Sequence, residues 1–244
     1  VLSVVFAALL HADVLVSAGH EGRPASCARY PHRACNLGAA GERAWTPVVA
    51  DEIARVLRAH GVSVLREPAD FDGNYTVDMA VFIHFDGASP ACTSGASIGY
   101  HLSGSVRAAD ARAAQLWRAL YAGIFPFRFM PDDFTAGLRD YYAFRQVDAR
   151  DGALVLELGE ITCPPQRRWL ASRLDDAATL IAYDISRTIG KGDVPLPAKF
   201  AGRRPLSRAS RPSARLRARL RSARPLGQAF LDAPGVPQNP PFPE

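Results

Sequence analysis

The chain has only four cysteines in 244 residues, Cys27, Cys35, Cys92 and Cys163, and no two of them form a CxxC pair. That spacing excludes the paired-cysteine framework of a zinc finger or ribbon. No apolar run approaches the ~20 residues that a membrane-spanning helix needs. There is no HExxH helix, no internal repeat and no signature of a nucleic-acid-binding fold. Acidic charge is scarce at one end. From Lys191 onward, 11 Lys and Arg face 3 Asp and Glu, and the remaining chain carries 18 against 21. The body is thus mildly acidic, and the basicity belongs to a tail that also holds ten of the 19 prolines.

What is present reads as one α/β domain between two unlike ends. Val1 to Ala12 is almost wholly apolar and ends Leu10-His11-Ala12, like the core and cleavage site of a secretory signal without its charged start. Residues 1–12 are therefore assigned to a signal remnant, with an extra N-terminal strand or helix as the alternative. Residues 13–190 form the domain. Residues 191–244 form an Arg- and Pro-rich tail expected to be disordered, with nine arginines between Arg203 and Arg224. Such a tail is suited to an anionic polymer, and equally to simple solvation.

Within the domain, Asp13 to Val16 reads as a short buried strand that stops at Ser17-Ala18-Gly19-His20-Glu21-Gly22. A polar loop follows. Cys27 and Cys35 flank part of it at a spacing that admits a disulfide, with free thiols as the alternative. Thr46-Pro47 has the form of an N-cap and first helical residue, with Val49, Ile53, Val56 and Leu57 on one face up to Gly61. Val62 to Leu65 and Val77 to His84 read as strands, Ser89 to Ser105 as a loop and Val106 to Ile124 as a helix. The aromatic-rich stretch Phe125 to Phe144 is expected to pack a small subdomain or cover a sheet rather than line a groove. Ala153 to Leu158 is the last strong strand, and Gln166 to Ile189 a final helix. Glu157 interrupts its apolar strand, a costly place for a carboxylate unless it is paired or used.

Three titratable residues join Glu157 at element edges: His20 after the first strand, Glu42 ahead of the first helix and His84 ending a later strand. In this order the motifs resemble those of the zinc-dependent N-acetylmuramoyl-L-alanine amidases of bacterial cell walls, the amidase-3 type. The resemblance rests on Val14-Leu15-Val16-Ser17-Ala18-Gly19-His20-Glu21-Gly22, Gly41-Glu42, Phe82-Ile83-His84 and Leu154-Val155-Leu156-Glu157-Leu158-Gly159. It covers roughly residues 13 to 190. The chain departs from the pattern at Glu21, Asp86, Glu160 and Cys163, and the arginine-bearing helix that precedes the third ligand in the family has no counterpart.

The resemblance implies a mostly parallel sheet flanked by helices, with Zn2+ held by His20, Glu42 and His84 and Glu157 as the catalytic carboxylate. It implies hydrolysis of the amide joining N-acetylmuramic acid to L-alanine, a periplasmic or secreted location, peptidoglycan as substrate and a potential activator protein. Two His and one carboxylate suit Zn2+ on their own chemistry, with a fourth position left for water. The rival readings are a zinc peptidase or amidase acting on another amide, and a metal-retaining but inactive cell-wall-binding module. Asp86 is a candidate for orienting a ligand or substrate, Glu160 is expected at the loop surface, with an acid that supports the site from behind as the alternative, and His11, His32, His60 and His101 are treated as non-ligands.

Overall fold

The computed structural model describes residues 12–29, 35–100 and 107–200. The signal-like segment up to residue 11 and the Arg-rich stretch 203–224 lie outside them. Among the described residues, five strands form one sheet. They are β1 (Val14–Ala18), β2 (Val64–Glu67), β3 (Tyr75–Asp86), β4 (Ser97–Gly99) and β5 (Val147–Glu160). Their order is β2-β1-β3-β5-β4. All neighbours run parallel except β4, which pairs antiparallel with the edge of β5. The fold is therefore the single α/β domain with a mixed, mostly parallel sheet that the sequence predicts, and no described helix is long and apolar enough to cross a membrane.

Alternation along the central strands sorts the two faces. Met79, Val81, Ile83 and Phe85 of β3 and Leu154, Leu156 and Leu158 of β5 join one core cluster. That cluster is covered by α1 (Glu42–Ala59), α2 (Ala108–Tyr121) and α5 (Leu174–Ile189). Ala80, Phe82, Ala153 and Val155 point the other way, into a smaller cluster closed by Phe71, Leu138 and Ala143. Each fully enclosed Leu, Ile or Phe in these layers contributes about 1.5–3 kcal/mol, the reserve against which buried carboxylates are held. His84 and Glu157 fall on the thinner, second face, because they sit in alternation with Phe82 and Val155.

Several boundaries differ from the expectation, each for a physical reason. α1 begins at Glu42, a full turn before Thr46-Pro47. Thr46 is not a cap: its hydroxyl donates to the Gly19 carbonyl at 2.6 Å and ties α1 to the end of β1. Gly41, at φ 95°, supplies the left-handed turn into the helix instead. The final helix is two helices, α4 (Pro164–Ala171) and α5, broken at Ser172-Arg173 without Gly or Pro. β4 lies inside the stretch expected to be loop. The aromatic stretch divides. Phe125 and Phe127 meet Trp169 edge to face over the helical face, while Tyr141, Tyr142 and Phe144 cover the other. It includes one short helix, α3 (Ala136–Arg139), capped by the Thr135 hydroxyl. Residues 191–200 pack back onto the domain through Val194, Leu196 and Phe200, so its core extends past Gly190.

Candidate metal centre and active site

The carboxyl ends of β1 and β3 and the start of α1 meet at one point. His20 follows β1 in a left-handed conformation, φ 60°, which is rare outside glycine and turns its ring back over the sheet end. Glu42 is the first residue of α1 and only 2 % exposed. His84 lies within β3, 6 % exposed. Glu42 Oε1 sits 3.0 Å from His84 Nδ1 and 3.4 Å from His20 Nε2. One donor atom from each residue lies within 4.8 Å of the other two. Among the described residues these three form the one cluster able to hold a metal ion.

The surroundings fix the orientation of all three groups. The Asn36 carbonyl is 2.8 Å from His20 Nδ1. A carbonyl only accepts, so Nδ1 carries the hydrogen and Nε2 presents its lone pair inward. Glu42 Oε2 accepts the Ala39 N–H at 2.8 Å, and Oε1 accepts the Phe85 N–H at 3.1 Å. His84 Nε2 is 3.1 Å from the Tyr141 hydroxyl. Burial and the neighbouring His84 push His20 down from its ordinary value, which keeps it neutral at neutral pH. Burial would raise Glu42, but the hydrogen bond with His84, the electrostatic pull of the two facing imidazoles and the Phe85 amide outweigh it and hold the carboxyl below its ordinary value.

These residues fit Zn2+. A tetrahedral ion with ligands at about 2.0–2.1 Å sets its donor atoms about 3.3 Å apart, close to the two separations between Glu42 and the imidazoles, with all three donors within 4.8 Å of one another. A neutral His20 and an ionised Glu42 are also in the protonation states a metal requires. The space around them is reserved by glycine. A Cβ on Gly19 would lie 2.3 Å from the His84 ring, and one on Gly38 would lie 2.4 Å from Glu42 Oε2.

Glu157 is register partner to His84 on the adjacent strand. Its Oε2 is enclosed and has no hydrogen-bond partner. Burial first, then the charges of Glu42 and Asp86, push its carboxyl well above the ordinary range. A β-bulge follows at once: Asp86 pairs with Glu160, so β5 gains one residue past Glu157, where Gly159 takes φ 146°. A cavity of about 430 Å³ opens over His20, His84 and Glu157, walled by Arg23, Leu138, Tyr141 and Tyr142.

Glu160 is corrected by the structure. It is not at the loop surface but fully enclosed, at 0 % exposure. It accepts the N–H groups of Cys92 at 2.6 Å and Ser94 at 2.8 Å, and the Thr162 hydroxyl at 2.8 Å. It anchors the 87–95 loop rather than the ligands. Asp86 belongs to the same loop, accepting the Gly87 N–H and the Ser94 hydroxyl. A Cys92–Cys163 disulfide closes this corner, and a Cys27–Cys35 disulfide closes the loop after His20. The first of these, the Tyr141 hydroxyl and the Asn36 carbonyl had no sequence signal. His60 is exposed and bonds only its own helix, and His11, His32 and His101 lie outside the described residues.

No family model and no curated protein matches the sequence. Solved structures do match the fold. The catalytic domain of CwlV, an N-acetylmuramoyl-L-alanine amidase from Bacillus (Paenibacillus) polymyxa var. colistinus, superposes with a TM-score of 0.52 at 14% identity, over 74% of this chain and 99% of that one. The N-acetylmuramyl-L-alanine amidase Ami1 from Mycobacterium smegmatis gives 0.52 at 18% identity, over 73% and 97%. This chain shares the fold of these amidases. Cwp6 from Clostridium difficile shares it over 73% of this chain and 29% of its own, with a TM-score of 0.55 at 16% identity. On that fold the His20–Glu42–His84 cluster lies at the sheet's carboxyl edge, where open α/β sheets bind their ligands.

Proposed function

We propose that this chain is a zinc-dependent amidase that hydrolyses the amide between N-acetylmuramic acid and L-alanine in peptidoglycan, with His20, Glu42 and His84 as the metal ligands. The observation that carries the reading is the placement of Glu157. Glu157 is held in register beside His84 and lines the same cavity as His20 and His84, while its enclosed Oε2 has no hydrogen-bond partner. Zn2+ bound there supplies a Lewis acid for an amide carbonyl and lowers the pKa of water toward ~7.

The chain's own groups do the rest. Glu157 takes the proton of the attacking water on its carboxylate and returns it to the amide nitrogen as the C–N bond breaks. Its upward-shifted carboxyl suits a group that must hold that proton between the two steps. The Asn36 carbonyl and the Tyr141 hydroxyl keep the imidazoles aimed inward. Two disulfides support an oxidising compartment, and with it the periplasmic or secreted location.

Incubation of zinc-loaded protein with purified peptidoglycan tests the reading. The expected products are stem peptides with a free L-alanine amino terminus. They should be absent after chelation and absent from Glu157→Ala with its zinc retained. Intact peptidoglycan from a folded, zinc-bound protein would overturn the hydrolase reading in favour of a binding module.

A further inference from the structure

We propose that Arg23 is a positioning residue for His20, acting through the Asn36 main chain. The proposal rests on the assignment of His20 as a metal ligand. Arg23 reaches back across the loop that follows β1. Its Nε and Nη2 donate to Asp70 Oδ2 and Oδ1 at 2.9 and 2.7 Å, a two-pronged pair almost out of contact with water. Its Nη1 donates to the Asn36 carbonyl at 2.8 Å. That is the same oxygen that accepts from His20 Nδ1.

One carbonyl with two lone pairs thus joins a fixed guanidinium to a ligand imidazole. The pair is itself braced, because the Ser26 hydroxyl donates to Asp70 Oδ2 at 2.6 Å. The Cys27–Cys35 disulfide ties the chain together directly beside Ser26 and Asn36. Without Arg23 the loop keeps its closure but loses the guanidinium that, among the described residues, holds the Asn36 carbonyl against the imidazole. His20 is then free to take the other tautomer, in which Nε2 carries the hydrogen and has no lone pair to offer.

Arg23 also walls the cavity, so a substrate carboxylate is the rival partner. Its geometry argues against that. Asp70 already neutralises the guanidinium, and three of its N–H groups are committed inside the protein.

The test uses the full chain and the variants Arg23→Gln, Asp70→Asn, Arg23→Lys and the double variant Arg23→Gln/Asp70→Asn. The double variant removes both charges and so leaves no buried carboxylate unpaired. Two quantities are read: the His20 tautomer in metal-free protein, by nitrogen-15 NMR of the imidazole, and zinc affinity by competition with a chromophoric chelator. Wild type should show His20 almost wholly as the Nδ1–H form. Arg23→Gln should show a mixture and a ~10–100-fold loss of zinc affinity. The double variant should lose no more than the worse single one, because both residues act through one oxygen. Arg23→Lys, which reaches one acceptor at a time, should fall between. Wild-type tautomer and zinc affinity in Arg23→Gln and in the double variant, with only KM raised, would overturn the proposal and make Arg23 a substrate contact. If wild type bound no zinc, the ligand assignment would fail, while the tautomer measurement would still decide what Arg23 does to His20.

Discussion

Replacing Gly19 by alanine adds one carbon atom at the centre of the candidate site. That Cβ would lie 2.3 Å from His84 Cε1 and 2.5 Å from both ring nitrogens, where carbon atoms normally settle at about 3.5–4.0 Å. The backbone cannot back away cheaply. The Gly19 N–H donates to the Ile83 carbonyl at 2.8 Å, and its own carbonyl accepts the Thr46 hydroxyl at 2.6 Å. The His84 ring must therefore move by roughly 1 Å, enough at an active site to cost about 100-fold. Zinc affinity, measured by chelator competition, should fall by about that factor or more. The fold should survive, because an off-rotamer imidazole costs only about 0.5–1.5 kcal/mol. Gly61→Ala is the control. Its φ of 78° is unfavourable for alanine, yet nothing lies within 4 Å of the new atom, so it should lose about 1–2 kcal/mol of stability and no zinc affinity. A Gly19→Ala protein that binds zinc within threefold of wild type would refute the packing argument and with it the placement of His84 as a ligand.

Other expectations follow from buried groups and covalent ties. Asp184 is enclosed on α5, and burial lifts it from 3.8 to about 7. Between those values the folded chain holds a proton that the unfolded chain has released, so stability should fall as pH rises through that window, by as much as ~4 kcal/mol. Asp184→Asn should accordingly raise Tm at pH 8 and leave it nearly unchanged at pH 4; equal shifts at both would contradict the burial argument. The two disulfides span 71 and 8 residues, so chain entropy assigns about 4 kcal/mol to Cys92–Cys163 and about 2.5 kcal/mol to Cys27–Cys35. Urea unfolding of the two Cys-to-Ala pairs should rank them in that order, and the reverse order would point to strain in the longer tie.

The strands that carry His20, His84 and Glu157 were legible because each is an apolar run halted by a polar residue beside glycine or aspartate. That is a local pattern, and a buried parallel strand obliges it. The first turn of α1 was not legible. Thr46-Pro47 imitates a helix start, and only the long-range bond from Thr46 to Gly19 shows that its hydroxyl is already in use. Glu160 was misplaced for a related reason. Its partners Cys92 and Ser94 lie 68 and 66 residues away, brought there by pairing at the sheet edge. β4 is only three residues, Ser97-Ile98-Gly99, and its pairing partner is β5. The order of the metal cluster could thus be read along the chain. The groups that aim it, a main-chain carbonyl and a tyrosine hydroxyl, carry no such mark.

The bulge at Gly159 separates two jobs along one strand. From Gly152 to Glu157, β5 is locked to β3 residue by residue, and a slip of one position would turn the carboxylate to the helical face. Beyond the bulge the chain answers to a different set of neighbours, with Glu160 gripping the 87–95 loop. Insertions or exchanges in that loop are therefore mechanically insulated from the reacting atoms. A lineage could remodel that corner many times over while leaving the register of Glu157 beside His84 intact.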